Sequence, residues 1–459
     1  MKKIIYLILL SSICISLAAC GKKDNEDKNS EQQSNVSQKN EQETESVSSD
    51  NFDKILESEI AQPYDVPKVL VYYSDDTSIN ADTYSDCQII IVDKQDGTYE
   101  PICDSASTIK LRGNSTIAAY KKAFNFKFSS KTDVLGMGKN KKWTLLANSF
   151  DKTLLRNQTV FDISKQLKVP FTPDYRVVDV YLNDTLQGSY LLVDTIEVGS
   201  NRVDIDTTDN EFLLELDYNP QDEESRYFYS PTYEIKFAIN EPELKDLTSE
   251  QYKYIKELIT NAEIALTSGD MSEIEKYFDI DSMASFYLVQ EFFRNVDVNT
   301  SSTRFHVKDG KIYGGPVWDF DLSAGNYLKS YYKSMYDENG DCYAGLKAVK
   351  MPWFGALCEV TEFQNLVNQK FLDMQDTLVN LYEDNSLGQN YIDKTIETYN
   401  GSISRNYGEA GWKVYRIYTF GMVLERQPER TYEENVEFYR NWLKNRNEWL
   451  LEEWGLKAN

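Results

Sequence analysis

The sequence predicts an α+β chain of two lobes, β-rich first and helical second, with a cleft between them. Three observations carry this expectation. From about residue 65 to 240, apolar residues alternate at period two in runs broken by turn signals. From about residue 245 the spacing becomes helical, with capping boxes at the starts. A chain of 459 residues, 41% hydrophobic, has length and core material for roughly two to three domains or one bilobal unit. No internal repeat period is visible.

The elements follow in order. Lys2 and Lys3 precede an apolar run, Ile4 to Leu17, of secretory-signal length and too short for a comfortable membrane span. It ends in Leu17-Ala18-Ala19-Cys20-Gly21, small residues before a cysteine, as at a lipoprotein cleavage site. Residues 1–19 are expected to be a lipoprotein signal peptide, and Cys20 the lipidated anchor of an extracytoplasmic, membrane-anchored protein. Residues 20–60 are expected to be a disordered tether, because Gly21 to Asp50 offers almost nothing apolar to bury. Residues 65–240 are the expected β-rich N-lobe and 241–459 the helical C-lobe.

In the first lobe Val69 to Tyr73 reads as a strand. Ala123 to Ser129 places Phe124, Phe126 and Phe128 on one face and Asn125 and Lys127 on the other. Arg176 to Leu182 alternates, Asn183-Asp184 turns, and Gly188 to Asp194 returns. A helix is expected over Asp151 to Leu167. In the second lobe Thr248-x-x-Gln251 is a capping box, Gly269 a stop, Asp270-x-x-Glu273 another start, and Asp281 to Arg294 an apolar helix. Thr431-x-x-Glu434 opens a last helix. Cys87 and Cys103 flank the turn signal Asp96-Gly97; their spacing allows a disulfide across a hairpin, with free thiols as the alternative. Cys342 and Cys358 have no evident partner.

Charge excludes some functions. Forty-nine Lys and Arg stand against 74 Asp and Glu, a net charge of −25. That argues against nucleic-acid binding, which needs basic surface to neutralise phosphates. The one histidine, His306, sits on an expected strand and is read as structural, which argues against a His-rich zinc site.

The chemistry-bearing pattern lies in the second half. Asp297 sits in a loop after a helix. A hairpin follows, Thr303 to Val307, Asp309-Gly310, Lys311 to Tyr313, and then Trp318-Asp319-Phe320-Asp321. A hairpin returns the chain and can bring carboxylates 22 positions apart in sequence close together. Carboxylates at i and i+2 in a turn suit Mg²⁺ or Mn²⁺ with substrate phosphates, and a third carboxylate nearby can orient a hydroxyl. An acidic loop residue, a hairpin, and then Asp-Phe-acidic is the order of a kinase catalytic loop and its metal-binding motif. No G-x-G-x-x-G, H-R-D or full D-F-G is present. Gly136-Met-Gly138-Lys139 lacks Walker spacing and reads as a turn. Leu111-Arg112-Gly113-Asn114-Ser115-Thr116 is a glycine-containing turn able to present amides and charge to phosphate.

Taken together, Arg112-Gly-Asn-Ser115, Lys121-Lys122, Trp143 to Asn148, Leu154-Leu-Arg156-Asn157, Gln187-Gly-Ser-Tyr190, Gly315-Pro-Val-Trp-Asp319-Phe-Asp321 and Gly325-Asn326 resemble the CotH kinase family, the spore-coat-type secretory kinases. The likeness spans roughly residues 65 to 450. It implies an atypical bilobal protein-kinase-like fold that moves the γ-phosphoryl of ATP to Ser or Thr of secreted or surface proteins with a divalent metal. By position it implies Asp297 as the catalytic acid residue, Asp319 and Asp321 as metal ligands, and Arg112 with Lys122 or Lys127 as phosphate contacts. Arg156, with Asn157, belongs to the same pattern as a phosphate contact or a structural group. Ser302 departs from ordinary kinases, which carry a metal-binding Asn five positions after the catalytic residue. The competing expectation is a kinase-shaped surface protein that binds cell wall or polysaccharide without catalysis; the anchor, the tether and 32 tyrosines suit it. A paired-carboxylate glycosidase is a third.

Overall fold

Seven strands from the first half of the chain close into a barrel. They are β1 (Lys68–Tyr72), β2 (Ser85–Val92), β3 (Ile102–Arg112), β4 (Ala123–Asp133), β5 (Lys139–Leu146), β6 (Tyr175–Leu182) and β7 (Thr185–Asp194). Their order is β1-β2-β3-β4-β5-β7-β6, closed by the parallel pairing of β1 with β6. The computed structural model describes residues 54–55, 57–59 and 64–456, except 95–97, 114, 219–226, 328–331, 413–415, 420–421 and 427–430. The expected signal peptide, Cys20, most of the tether, the Asp96-Gly97 turn and Asn114 lie outside the described residues.

The period-two pattern explains the barrel. Phe124, Phe126 and Phe128 point inward and pack with Val69, Trp143 and Val178. Asn183 and Asp184 both take left-handed backbone, φ 43° and 62°, as a two-residue hairpin turn needs. Gly136 and Gly138, at φ 74° and 85°, make the β4–β5 turn, so this glycine pair is the turn the sequence suggests. The outer face of β5, β6 and β7 is apolar too. There Leu146, Val177, Leu191 and Val193 join Val160, Phe161 and Ile163 of α1 (Arg156–Gln166) in the main core.

Helix α1 begins five residues later than expected. Asp151 accepts hydrogen bonds from the N–H groups of Thr153 (3.0 Å) and Arg156 (2.8 Å). Its carboxylate thereby folds residues 151–155 into a turn, with Leu154 at φ 65°.

A second sheet draws on both halves of the chain. Its order is β12-β11-β8-β10-β9, from β8 (Phe212–Leu216), β9 (Tyr227–Tyr229), β10 (Lys236–Glu241), β11 (Thr303–Lys308) and β12 (Lys311–Gly314). Helices α2 (Ser249–Ser268), α3 (Met271–Ile274), α4 (Ile280–Phe292), α5 (Pro352–Cys358), α6 (Thr361–Asp373), α7 (Gln375–Asn380), α8 (Tyr391–Tyr407) and α9 (Tyr432–Glu453) follow. Strands β13 (Arg416–Thr419) and β14 (Met422–Arg426) pair between the last two helices. Both capping boxes form, at Thr248 and at Thr431, and Gly269 ends α2 at φ 65°. The architecture is mixed α/β, with one core running from the barrel's outer face through the helices. Helix α8 is tied to the barrel: Arg405 pairs with buried Asp179 at 2.6 Å, and Asn406 accepts from the buried Lys121 ammonium at 2.8 Å. Among the described residues no helix is long and apolar enough to cross a membrane.

The cysteine pairing needs correction. Strands β2 and β3 do form a hairpin, but Cys87 stands opposite Ser107 and Cys103 opposite Ile90. Their places in the ladder keep them from being partners.

His306 is buried on β11, with Tyr313 stacked on it (centroids 4.9 Å apart) and Phe171 edge-on at 4.7 Å. Its Nδ1 lies 3.1 Å from the Gly315 carbonyl, which only accepts, so Nδ1 carries the proton. Burial lowers its pKa from 6.5 to about 4. As pH falls, the unfolded chain takes up this proton first. The stabilisation is therefore complete above pH 6.5 and lost as pH drops toward 4, on the order of 3 kcal/mol for a shift of that size. His306→Phe keeps the aromatic contacts and removes the titration. Denaturant unfolding between pH 7 and pH 4 should show wild type losing more stability than the variant by about that amount; parallel losses would show that His306 does not fold neutral.

Candidate active site

The end of α4 and the hairpin β11–β12 build the site. Just past α4, the Asn295 side chain accepts from the Asp297 N–H at 3.1 Å. The Asp297 carbonyl then accepts from the N–H groups of Thr300 (2.8 Å) and Ser301 (3.0 Å), closing a tight turn. The hairpin pairs Phe305 with Gly314 and returns the chain toward this turn. Asp319 is held in left-handed backbone at φ 66°, a conformation aspartate tolerates better than most residues. The Ser302 hydroxyl donates to its Oδ2 at 3.3 Å. Phe320 is fully buried and Asp321 is buried beside it.

The structure brings Asp297, Asp319 and Asp321 into one electrostatic cluster. Burial, and then the negative charge of Asp319, push the Asp297 pKa up to about 6; Lys347 and the Thr300 hydroxyl oppose this. Burial pushes Asp321 well above the carboxylate range, reinforced by Asp319, Asp151 and Asp297. The phenol of Tyr332 also feels Asp297 and Asp321, and burial chiefly raises it to about 12. Among the described residues none of the three carboxylates has an ion-pair partner within 4.0 Å.

The expected cations separate into two groups. Arg112 belongs to the cluster. Its guanidinium lies 5.1 Å from the Trp318 ring centre, and its charge is favoured by Asp319 and Asp321 although burial lowers its pKa. Arg304, which no sequence motif singles out, lies 5.8 Å from the same ring and pairs with Glu215 at 2.9 Å. Lys122 donates to the Ile117 carbonyl at 2.5 Å, within its own turn. Lys127 lies over the Tyr84 ring at 3.9 Å, and its charged neighbours are Lys142, Lys110, Glu197 and Glu243. None of the three aspartates is among them.

Arg156 is not placed to contact phosphate. It is buried, pairs with Asp151 at 2.6 Å, and donates to the carbonyls of Ser323 (3.0 Å) and Ala324 (3.2 Å). Beside it, Asn157 accepts from the Phe320 N–H at 2.8 Å and donates to Asn148 at 3.0 Å. The Arg156-Asn157 pair therefore fixes the loop that carries Asp319 and Asp321 onto α1.

A family model described as CotH kinase protein matches residues 109–450, well over half of the chain. The chain belongs to the CotH kinase family. No curated protein matches it. CotH kinase membership implies a kinase, hence a phosphotransferase, and such a family implies ATP and a divalent metal. The site residues fit that requirement. Among the described residues no three His, Cys, Asp or Glu side chains form a ready-made metal cage. Magnesium with a nucleotide needs less, one or two carboxylates plus phosphate oxygens, and Asp319 and Asp321 offer these. The negative charge of Asp319 acts on both Asp297 and Asp321, and such a concentration of carboxylates is the charge arrangement a divalent cation relieves.

The role of Arg156 is open to a stability measurement. Removing one partner of a buried ion pair leaves the other charged and uncompensated, at a cost of about 3–5 kcal/mol. Arg156→Ala should therefore destabilise the fold by about that amount. Lys127→Ala, at a partly exposed strand position, should change stability by less than about 1 kcal/mol. Unfolding midpoints that rank the two variants the other way would return Arg156 to a ligand-binding role.

Proposed function

We propose that this chain is a divalent-metal-dependent protein kinase that transfers the γ-phosphoryl of ATP to Ser or Thr hydroxyls of secreted or surface proteins. The observation that carries the proposal is the convergence of Asp297, Asp319 and Asp321, with Arg112 alongside. In this reading the barrel half and the helical half act as the two lobes of a kinase-like molecule. Asp319 and Asp321 hold the metal, which neutralises phosphate charge. Arg112, oriented by the Trp318 face, adds positive charge on the same side. Asp297 orients the acceptor hydroxyl and takes its proton. Burial and Asp319 suit it to that work, because a carboxylate with raised proton affinity is a stronger base that still stays mostly ionised near neutrality.

The same reading places the enzyme outside the cytoplasm, on a membrane through lipid on Cys20, with the acidic tether carrying the folded part clear of the surface. The acidic composition supports a protein acceptor over nucleic acid. Cys20→Ser should remove the thioether and release the protein from the membrane fraction. A variant that fractionates like wild type, with no lipid mass on residue 20 of wild type, would refute the anchor.

The aspartates test the catalytic core. Asp319→Ala should leave the fold intact, abolish the Mg²⁺- or Mn²⁺-dependent thermal shift with ATP, and lower label transfer at least about 100-fold. Asp297→Asn should keep the shift and lose transfer, since it acts on the acceptor rather than the nucleotide. A wild type that shows neither shift nor transfer would support a non-catalytic surface protein that binds cell wall or polysaccharide in place of the kinase.

A further inference from the structure

Lys347 lies outside every sequence motif, yet the structure mounts it beside Asp297. The mount is built from fully buried charges. The Glu291 carboxylate, on α4, accepts from the backbone N–H groups of Lys347 (2.7 Å), Ala348 (2.7 Å) and Val349 (3.2 Å). Arg446 of α9 pairs with Glu291 at 2.8 Å, both side chains without exposure, and donates to the carbonyls of Tyr343 (2.7 Å) and Gly345 (3.1 Å). Arg294, at the end of α4, donates to the carbonyls of Gly345 (2.9 Å), Met335 (2.6 Å) and Cys342 (2.7 Å). The segment carrying Lys347 is thus fastened to the same helix end that delivers Asp297.

The ammonium group itself reaches the Asp297 turn. It donates to Asn299 Oδ1 at 2.6 Å, and its charge acts on Asp297. A lysine ammonium has three protons, and Asn299 is a neutral partner. Among the described residues no carboxylate pairs with Lys347 within 4.0 Å. Burial, Lys350 and Arg294 work against its charge and lower its pKa, although Asp297 and Glu291 favour it. Two cations act on different members of the cluster: Arg112 on Asp319 and Asp321, and Lys347 on Asp297.

We propose that Lys347 is the acceptor-side cation of the reaction, contacting the phosphoryl group as it passes to the hydroxyl oriented by Asp297. The inference rests on the kinase reading above. In the step, the acceptor oxygen bonds to Pγ while the bond from Pγ to the β,γ-bridging oxygen breaks. ADP leaves with that electron pair, and the hydroxyl proton passes to the Asp297 carboxylate. The three equatorial oxygens of the transferred group move away from ADP and toward the acceptor, on the Asp297 side, where Lys347 stands. A fixed charge there favours the transition state over the bound nucleotide, so its loss should appear in kcat rather than in ATP affinity.

The test is label transfer from γ-labelled ATP with Mg²⁺ or Mn²⁺ to casein, with the ATP-dependent thermal shift read in parallel on the full chain. Lys347→Met should lower kcat about 100-fold while the KM for ATP and the thermal shift stay within about twofold of wild type. Lys347→Arg should recover transfer to within about tenfold, because it restores the charge. Asn299→Ala removes the hydrogen bond and leaves the ammonium, and should cost less than about threefold. Equal losses in Asn299→Ala and Lys347→Met would make the lysine a strut for the turn and overturn the proposal, as would unchanged kcat in Lys347→Met. A wild type without transfer overturns the kinase reading and this inference with it; an active wild type with an indifferent Lys347 overturns the inference alone.

Discussion

The site depends on one buried constraint, the Asp151–Arg156 pair and the asparagine that follows it. Arg156 and Asp151 are almost entirely removed from water, and their charges satisfy each other at 2.6 Å. From that fixed point the guanidinium grips the Ser323 and Ala324 carbonyls, and Asn157 grips the Phe320 amide. Two aspartates flank Phe320, and a loop that shifted by an ångström would misplace both. Phosphoryl transfer asks a protein mainly for placement and charge, so rigid attachment of this loop to the barrel-facing helix is a functional requirement met by core packing.

The same economy of position explains why the acidic cluster is tolerable. Burial and the neighbouring carboxylates raise the proton affinity of Asp297 and Asp321, which disfavours the folded, ionised state. A protein shaped by stability alone would separate them or pair each with a cation. Instead the most deeply buried ion pairs, Asp151 with Arg156 and Glu291 with Arg446, hold backbone near the cluster. Among the described residues the three aspartates of the cluster are left without an ion-pair partner, as the proposed metal and substrate roles require.

Much of the fold was legible because it rests on local chemistry. The capping boxes at Thr248 and Thr431, the alternating phenylalanines of β4 and the Asn183-Asp184 turn act within a few residues, and each formed. Closure of the barrel by β1 against β6 was not legible, since nothing in either strand names a parallel partner about 110 residues away. Helix α1 starts later than its sequence pattern suggests because the Asp151 side chain competes with the helix for backbone N–H groups. In the site, the order of Asp297, hairpin and Asp-Phe-Asp could be read, because a hairpin guarantees return of the chain. The cations could not be sorted. Arg112, Lys122, Lys127 and Arg156 are all candidate phosphate contacts by position, but the Lys127 side chain lies over Tyr84 and Arg156 is drawn into the core by Asp151.

Lys347 shows the deeper limit. It lies in a stretch without helical or strand periodicity, fifty positions beyond Asp297, and no local signal marks it. What places it is a set of charged groups reading backbone: Glu291 gathers three amides, while Arg294 and Arg446 share the Gly345 carbonyl. Backbone groups are the same for every residue type, so this mount leaves no imprint on the identity of the residues it holds. A chain of net charge −25 can therefore keep a cation at its acidic centre by fixing the segment rather than by pairing the side chain, and the ammonium protons not committed to Asn299 remain available to an anionic substrate.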